Sequence, residues 1–247
     1  MTKKGWILFA TLCVGILAGL IYFAQKDKTD VSGVDETKII AASAANGNIG
    51  EHIEGNVNSK VVLIEYGDFQ CPGCGSAHPV MKKIVEKYKD KIAFVFRNYP
   101  LYTTHPNAYA AATAAESAGL QGKYWEMHNR LFENQSAWSS LGGDQRTEFF
   151  VAAASDLGLN TDQFKKDLNN DNIKKKISFD EALGRKINLS GTPSFYIGGK
   201  SVGDQYVLDG KIVPKSSDAR LIWSDQTAFE NLVLNPALKE AGIPLPE

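Results

Sequence analysis

Cysteine is scarce in this chain: three occur in 247 residues, Cys13, Cys71 and Cys74. With a single Cys-x-x-Cys pair, a zinc site of the usual four-ligand kind lacks its second pair. A purely structural bridge between residues three apart would close almost no loop and so stabilise little. An excess of charge of one sign is missing too. The 27 basic and 28 acidic side chains are interspersed and leave a net charge of −1, which gives no electrostatic footprint for nucleic acid. No repeat period is evident, so a solenoid or array is excluded.

What is present centres on Cys71-Pro72-Gly73-Cys74. The apolar, β-branched run from Val61 to Tyr66 reads as a buried strand ended by Gly67. Val80, Ile84, Val85 and Tyr88 follow at helical spacing. The dithiol therefore sits on a strand-to-helix turn. Pro72 suits the first helical position, where its missing N–H would be unpaired anyway. That makes Cys71 the N-cap, with its sulfur facing the free N–H groups of Gly73 and Cys74 and the positive end of the helix dipole. Both effects favour the thiolate, so Cys71 is expected to be the attacking and attacked sulfur and Cys74, one turn in, the resolving one. His78, a further turn along, reads as a helix-surface residue, with a third metal ligand beside the two thiols as the alternative.

The N-terminus carries a second signal. Gly5 to Ala24 contains no charged side chain, and twenty residues at the helical rise span about 30 Å, one bilayer crossing. No small-x-small cleavage site follows directly, since Tyr22 occupies the −3 position ahead of Gln25. Residues 1–24 are thus expected to be an uncleaved signal anchor. Cys13 lies inside it as a small apolar filler, and bulky Leu12 argues against lipid attachment there. Lysine counts at the two ends tie. The dithiol decides orientation, because its oxidised form persists only outside the cytosol. The expected location is the cell membrane, single-pass, with the catalytic domain on the extracytoplasmic side. Residues 25–49 are polar, small and aperiodic and read as a flexible linker reaching about 25–30 Å. Residues 50–247 form one domain by length.

Within that domain Ile92 to Phe96 reads as a second buried strand, parallel to the first across a helical crossover. Helical patterns then occupy about eighty residues: Asn107 to Ala118, Gly122 to Asn134, Thr147 to Leu157, a start at Thr161, and Asp171 to Ile187. The frame resumes with the strand Ser194 to Ile197 and a Gly198-Gly199 turn. Two short strands flank Asp209-Gly210, and a helix spans roughly Asp225 to Leu234. The tail reads as extended.

This order of elements, with Glu65-Tyr66-Gly67-Asp68-Phe69-Gln70-Cys71-Pro72-Gly73-Cys74, His105-Pro106-Asn107, Trp125-Glu126-Met127-His128 and Gly191-Thr192-Pro193, resembles the membrane-tethered bacterial DsbA-like thiol–disulfide oxidoreductases. The resemblance covers about residues 50–200. It implies an α/β, thioredoxin-like fold with a helical insertion at about 105–188, preceded by one transmembrane helix. It implies that Cys71 and Cys74 are the redox pair, that Glu65 is a buried acid beneath them, and that Pro193 is a cis-proline lying against the dithiol. Pattern alone leaves Glu65 between burial and a strand end facing water. Asp68, nearer the turn, reads as solvated. Thr192 and Pro193, with Pro72 and Gly73, would bind an extended substrate strand. The dipeptide Pro-Gly replaces the Pro-His of the best-known member, so no imidazole reaches the thiolate. Residues 201–220 exceed the family hairpin and receive no role.

The expected function is dithiol oxidation of reduced, unfolded exported proteins, with reoxidation by a quinone-linked membrane protein. No cofactor beyond the Cys71–Cys74 disulfide and no metal are expected. Two alternatives stay open: a disulfide reductase or isomerase on the same fold, and a metal-binding or metallochaperone domain using Cys71, Cys74 and His78.

Overall fold

The computed structural model describes residues 2–26 and 29–246, without the side chains of residues 3, 4, 7, 8 and 20–26. Chain order begins with helix α1 (Lys3–Lys26), strands β1 (Ile53–Gly55) and β2 (Val62–Gly67), helix α2 (Pro72–Tyr88) and strand β3 (Ala93–Asn98). Six helices follow: α3 (Ala108–Gly119), α4 (Tyr124–Glu133), α5 (Gln135–Trp138), α6 (Gly143–Asp156), α7 (Thr161–Asp167) and α8 (Asp171–Lys186). Strands β4 (Ser194–Ile197), β5 (Lys200–Ser201), β6 (Tyr206–Leu208), β7 (Lys211–Val213) and β8 (Arg220–Leu221) come next. Helix α9 (Gln226–Phe229) runs through a π turn (Glu230–Leu234) into α10 (Asn235–Glu240), so the closing helix is longer than its apolar pattern indicates.

The main sheet has the order β1-β3-β2-β4-β5. β2 and β3 are parallel, as the crossover through α2 requires, whereas β1 and β4 pair antiparallel to their neighbours. β2 is therefore central and covered on both faces, which explains why its residues after Val62 are all buried. One face packs under α2 and the C-terminal helices through Leu63, Ile84, Val85, Phe195 and Phe229. The helical insertion carries its own core around Ala111, Leu131, Trp138 and Phe150, which reaches both cysteines. A separate three-stranded sheet, β7-β6-β8, accounts for residues 201–220.

One expectation falls partly outside the described residues and another needs revision. The membrane-spanning helix expected over residues 5–24 falls partly on side chains outside those described. Among the described residues no helix is long and apolar enough to cross a membrane. The linker expected over residues 25–49 is not a free tether, since most of it docks on the domain. Val31 and Ile49 are buried, and Val34, Ile39 and Ile40 pack against a cluster containing Ile64, Tyr66, Val95 and Phe179. The cause is Arg97 on β3, which is 0% exposed and so needs internal acceptors. Its Nη1 donates to the Glu36 carbonyl at 2.7 Å, its Nη2 to the Lys38 carbonyl at 2.9 Å, and its Nε to Glu51 Oε1 at 2.5 Å. Glu51 Oε2 in turn accepts from the Ile40 N–H. The strap is held by its own main chain.

Replacing Arg97 by alanine strips those carbonyls of their donor and leaves the Glu51 carboxylate buried without its cation. Removing one partner of a buried pair costs about 3–5 kcal/mol. The urea midpoint of R97A should fall accordingly, while an unchanged midpoint would show that the strap contributes nothing to the fold.

Candidate active site

Cys71 is the N-cap of α2 and Pro72 its first residue, as the sequence implies. The sulfur makes no capping hydrogen bond as a thiol. Instead Sγ–H donates to the Thr192 carbonyl at 3.3 Å. The Thr192–Pro193 bond is cis. A Cβ on Gly73 would stand 3.1 Å from Pro193 Cδ and 3.5 Å from Cys71 Sγ, so the proline lies directly against the dithiol turn and glycine permits the approach. Pro72, Gly73, Thr192 and Pro193 are thus brought together around Cys71. Both thiols are free.

The two sulfurs have opposite surroundings. Cys71 is 8% exposed and Cys74 0%. The Cys74 thiol, hydrogen-bonded to the Cys71 sulfur, is the main cause that brings the Cys71 thiol down to about 5. The Thr192 side chain and the backbone N–H groups of Cys74 and Gly73 add to it, against the cost of partial burial. The neighbouring thiol thus outweighs the free helix N–H groups that the sequence puts foremost. Burial pushes the Cys74 thiol well up, and hydrogen bonding to Cys71 and the Glu65 charge push it further. Glu65, flanked by Phe96 of β3 and Phe195 of β4, is buried and pushed up to about 8, first by burial and then by the Cys71 charge. A carboxyl poised there can hold a proton near neutral pH and exchange it with Cys74.

Two residues differ from their sequence reading. His78 is not on the surface. It packs on Phe132 and faces His128, and burial lowers it to about 4 and His128 to about 3. These neutral rings line a cavity of about 10 Å³ that also borders Glu65, room for roughly one water. Among the described residues no group of three or more His, Cys, Asp or Glu could hold a metal ion, so His78 does not complete a site with the two thiols. Asp68, expected in solvent, is 1% exposed and bonds the active-site turn to the loop entering the insertion. Sequence reasoning also passed over Gln70 and Gln135. Gln70 accepts from the Asn107 N–H and donates to the Ser139 carbonyl. Gln135 donates to the carbonyls of Phe69 and Cys71. The only local hint was the position of Asp68 and Gln70 just before Cys71.

A redox-competent dithiol at a helix N-terminus, backed by a buried acid and faced by a cis-proline on a mixed sheet, defines the thioredoxin-like thiol–disulfide oxidoreductases. A thioredoxin family model (Thioredoxin_4) matches residues 47–210, and the chain belongs to that family. Similar solved structures include DsbA2 from Pseudomonas aeruginosa, 26% identical with a TM-score of 0.52 over 62% of this chain and 85% of that one. Alpha-DsbA1 from Wolbachia pipientis is 24% identical with a TM-score of 0.60, over 77% and 92% of the two chains. BdbD from Bacillus subtilis is 17% identical with a TM-score of 0.59, over 84% and 98%. At such identities the last two speak for the shared fold. Among curated relatives, the protein named Na(+)/H(+) antiporter NhaA 1 from Salinispora arenicola is 34% identical over 159 residues, 64% of this chain. The match spans only 23% of that longer protein, about a quarter of its length.

In the reduced protein, iodoacetamide at mildly acidic pH should label Cys71 alone, with a rate that titrates near pH 5, the value to which Cys71 is lowered. Labelling of Cys74 at a comparable rate would reverse the assignment of the two sulfurs.

Proposed function

We propose that this protein is an extracytoplasmic dithiol oxidase that introduces disulfides into reduced, unfolded exported proteins. The observation that carries this reading is the asymmetry of the two sulfurs, with the Cys71 thiol at about 5 and the Cys74 thiol pushed up. A substrate thiolate attacks Cys71 Sγ of the Cys71–Cys74 disulfide, forming a mixed disulfide and releasing Cys74 as a thiolate. That thiolate takes a proton, which the buried Glu65 carboxyl, whose charge Cys74 feels, can supply. A second substrate thiolate then attacks the substrate sulfur of the mixed disulfide, and Cys71 leaves as a thiolate. The substrate loses two electrons and the dithiol gains them.

Direction follows from charge. Stabilising the Cys71 thiolate favours the reduced protein, and a disulfide sulfur carries no charge to share that gain, so the bond is an oxidant. Membrane attachment through residues 5–24, part of the same proposal, would keep the dithiol near a quinone-linked membrane protein that could reoxidise it. Trp6, Phe9, Leu12, Val14, Ile16 and Leu17 of α1 are exposed, as a bilayer-embedded helix requires.

The reduced form should melt at higher temperature than the oxidised one and should accompany catalysed oxidation of a reduced, unfolded substrate. The pH dependence has a definite sign. The Cys71 thiol falls from 9.0 to about 5 on folding. Its contribution is therefore complete above the unfolded value and is lost as pH drops through about 5. The gap between the two melting temperatures should thus narrow on acidification from pH 8 to pH 4. An oxidised form that is the more stable at pH 7 would favour the reductase or isomerase reading instead.

Fractionation tests the anchor separately. The full chain should sediment with membranes and resist carbonate extraction. A soluble chain beginning after Ala24 would remove the anchor without touching the dithiol chemistry.

A further inference from the structure

Asp68 stands three residues before Cys71 and touches both halves of the dithiol through its backbone. Its N–H donates to Cys74 Sγ at 3.5 Å, and its carbonyl accepts from the Cys71 N–H at 3.0 Å. Its carboxyl is buried and fully engaged. Oδ1 accepts from the Gln70 N–H at 2.7 Å, and Oδ2 from the Leu101 N–H at 2.9 Å. The third partner is His105, whose Nδ1 lies 2.7 Å from Oδ2. A carboxylate only accepts, so Nδ1 carries the proton in this contact. Gln70 N–H belongs to the active-site turn itself, while Leu101 and His105 belong to the loop between β3 and the insertion. His105 is thus the only side chain among these donors.

The consequence for the sulfurs is geometric. The carboxyl, anchored at both oxygens, fixes the Asp68 residue whose backbone meets both cysteines. Misdirecting the Asp68 peptide would cost Cys74 the backbone donor nearest its sulfur.

We propose that His105 is a positioning residue for the resolving sulfur, its Nδ1–H fixing Asp68 so that the Asp68 N–H stays on Cys74. This rests on Cys71 and Cys74 being the working redox pair. Loss of the imidazole leaves Oδ2 with the Leu101 N–H alone. The reduced form then loses stability relative to the disulfide, and Cys74 becomes a poorer attacking thiol. Asparagine presents an amide N–H where the imidazole carries Nδ1–H, whereas alanine presents none.

The test compares wild type, H105A and H105N, each equilibrated with glutathione buffers of defined ratio and read by the mass shift on alkylation. Resolution of the Cys71–glutathione mixed disulfide by Cys74 is followed in parallel. H105A should move the equilibrium toward the disulfide by about three- to tenfold, the size expected for one charge-assisted hydrogen bond, and slow resolution by a similar factor. H105N should stay within about twofold of wild type, a rescue that mere loss of packing would not produce. A wild-type equilibrium constant in H105A, or an H105N that moves as far as H105A, overturns the proposal. H105Q, whose amide sits one carbon further out, replaces H105A if the latter does not fold, and equal constants for H105N and H105Q then overturn it. Wild-type protein that forms no disulfide at any glutathione ratio would remove the underlying redox reading as well, before any variant is compared.

Discussion

One turn of helix separates a sulfur that meets the surface from a sulfur that has left water altogether, and the site is arranged around that difference. Cys74 cannot hold charge comfortably in the core, so its thiol remains protonated and available as a donor to Cys71. The low proton affinity of one sulfur is thus partly a product of the high affinity of the other. Pro72 and Gly73 make this geometry cheap to reach: the proline starts the helix without a wasted N–H, and the glycine lets Pro193 close over the turn. Glu65 completes the arrangement from below, because the sheet that buries Cys74 also buries the carboxyl.

The turn is not held by the sheet alone. Gln70, Gln135 and Asp68 bond it to the helical insertion or to the loop that enters it. Asn107 extends the connection, since its side chain donates to the carbonyls of Ser139 and Leu141 and accepts from Arg146. The insertion is therefore part of the active site's frame. A shift of its first helix would be felt at the residues flanking Cys71 before it reached the sulfur.

Much of this was legible in the chain itself, for identifiable reasons. The dithiol, the strand before it and the helix after it announce themselves by local pattern, and Gly-Thr-Pro marks the opposing loop. The insertion's helices were readable because their apolar spacing is regular. The strap over residues 30–50 was not, because it is held chiefly by backbone carbonyls that accept from Arg97, about sixty positions away, and carbonyls carry no sequence signature. Asp68 and His78 misled for the opposite reason. Polar side chains argue for solvent when viewed locally, and only tertiary structure supplies the donors and rings that bury them. Glu65 was ambiguous until β2 proved to have a neighbour on each side.

The docked strap also bears on the mechanics of the proposed membrane attachment. Four residues lie between the end of α1 at Lys26 and buried Val31, a stretch that spans at most about 15 Å fully extended. With the helix in a bilayer, the domain would have little leash. It would sweep a shallow zone above the lipid in place of a wide hemisphere, which raises its effective concentration toward anything embedded nearby and lowers it toward anything in bulk. So tethered, the domain would act as a fixed post: a redox partner embedded beside it would stay within reach, and substrates would have to come to it.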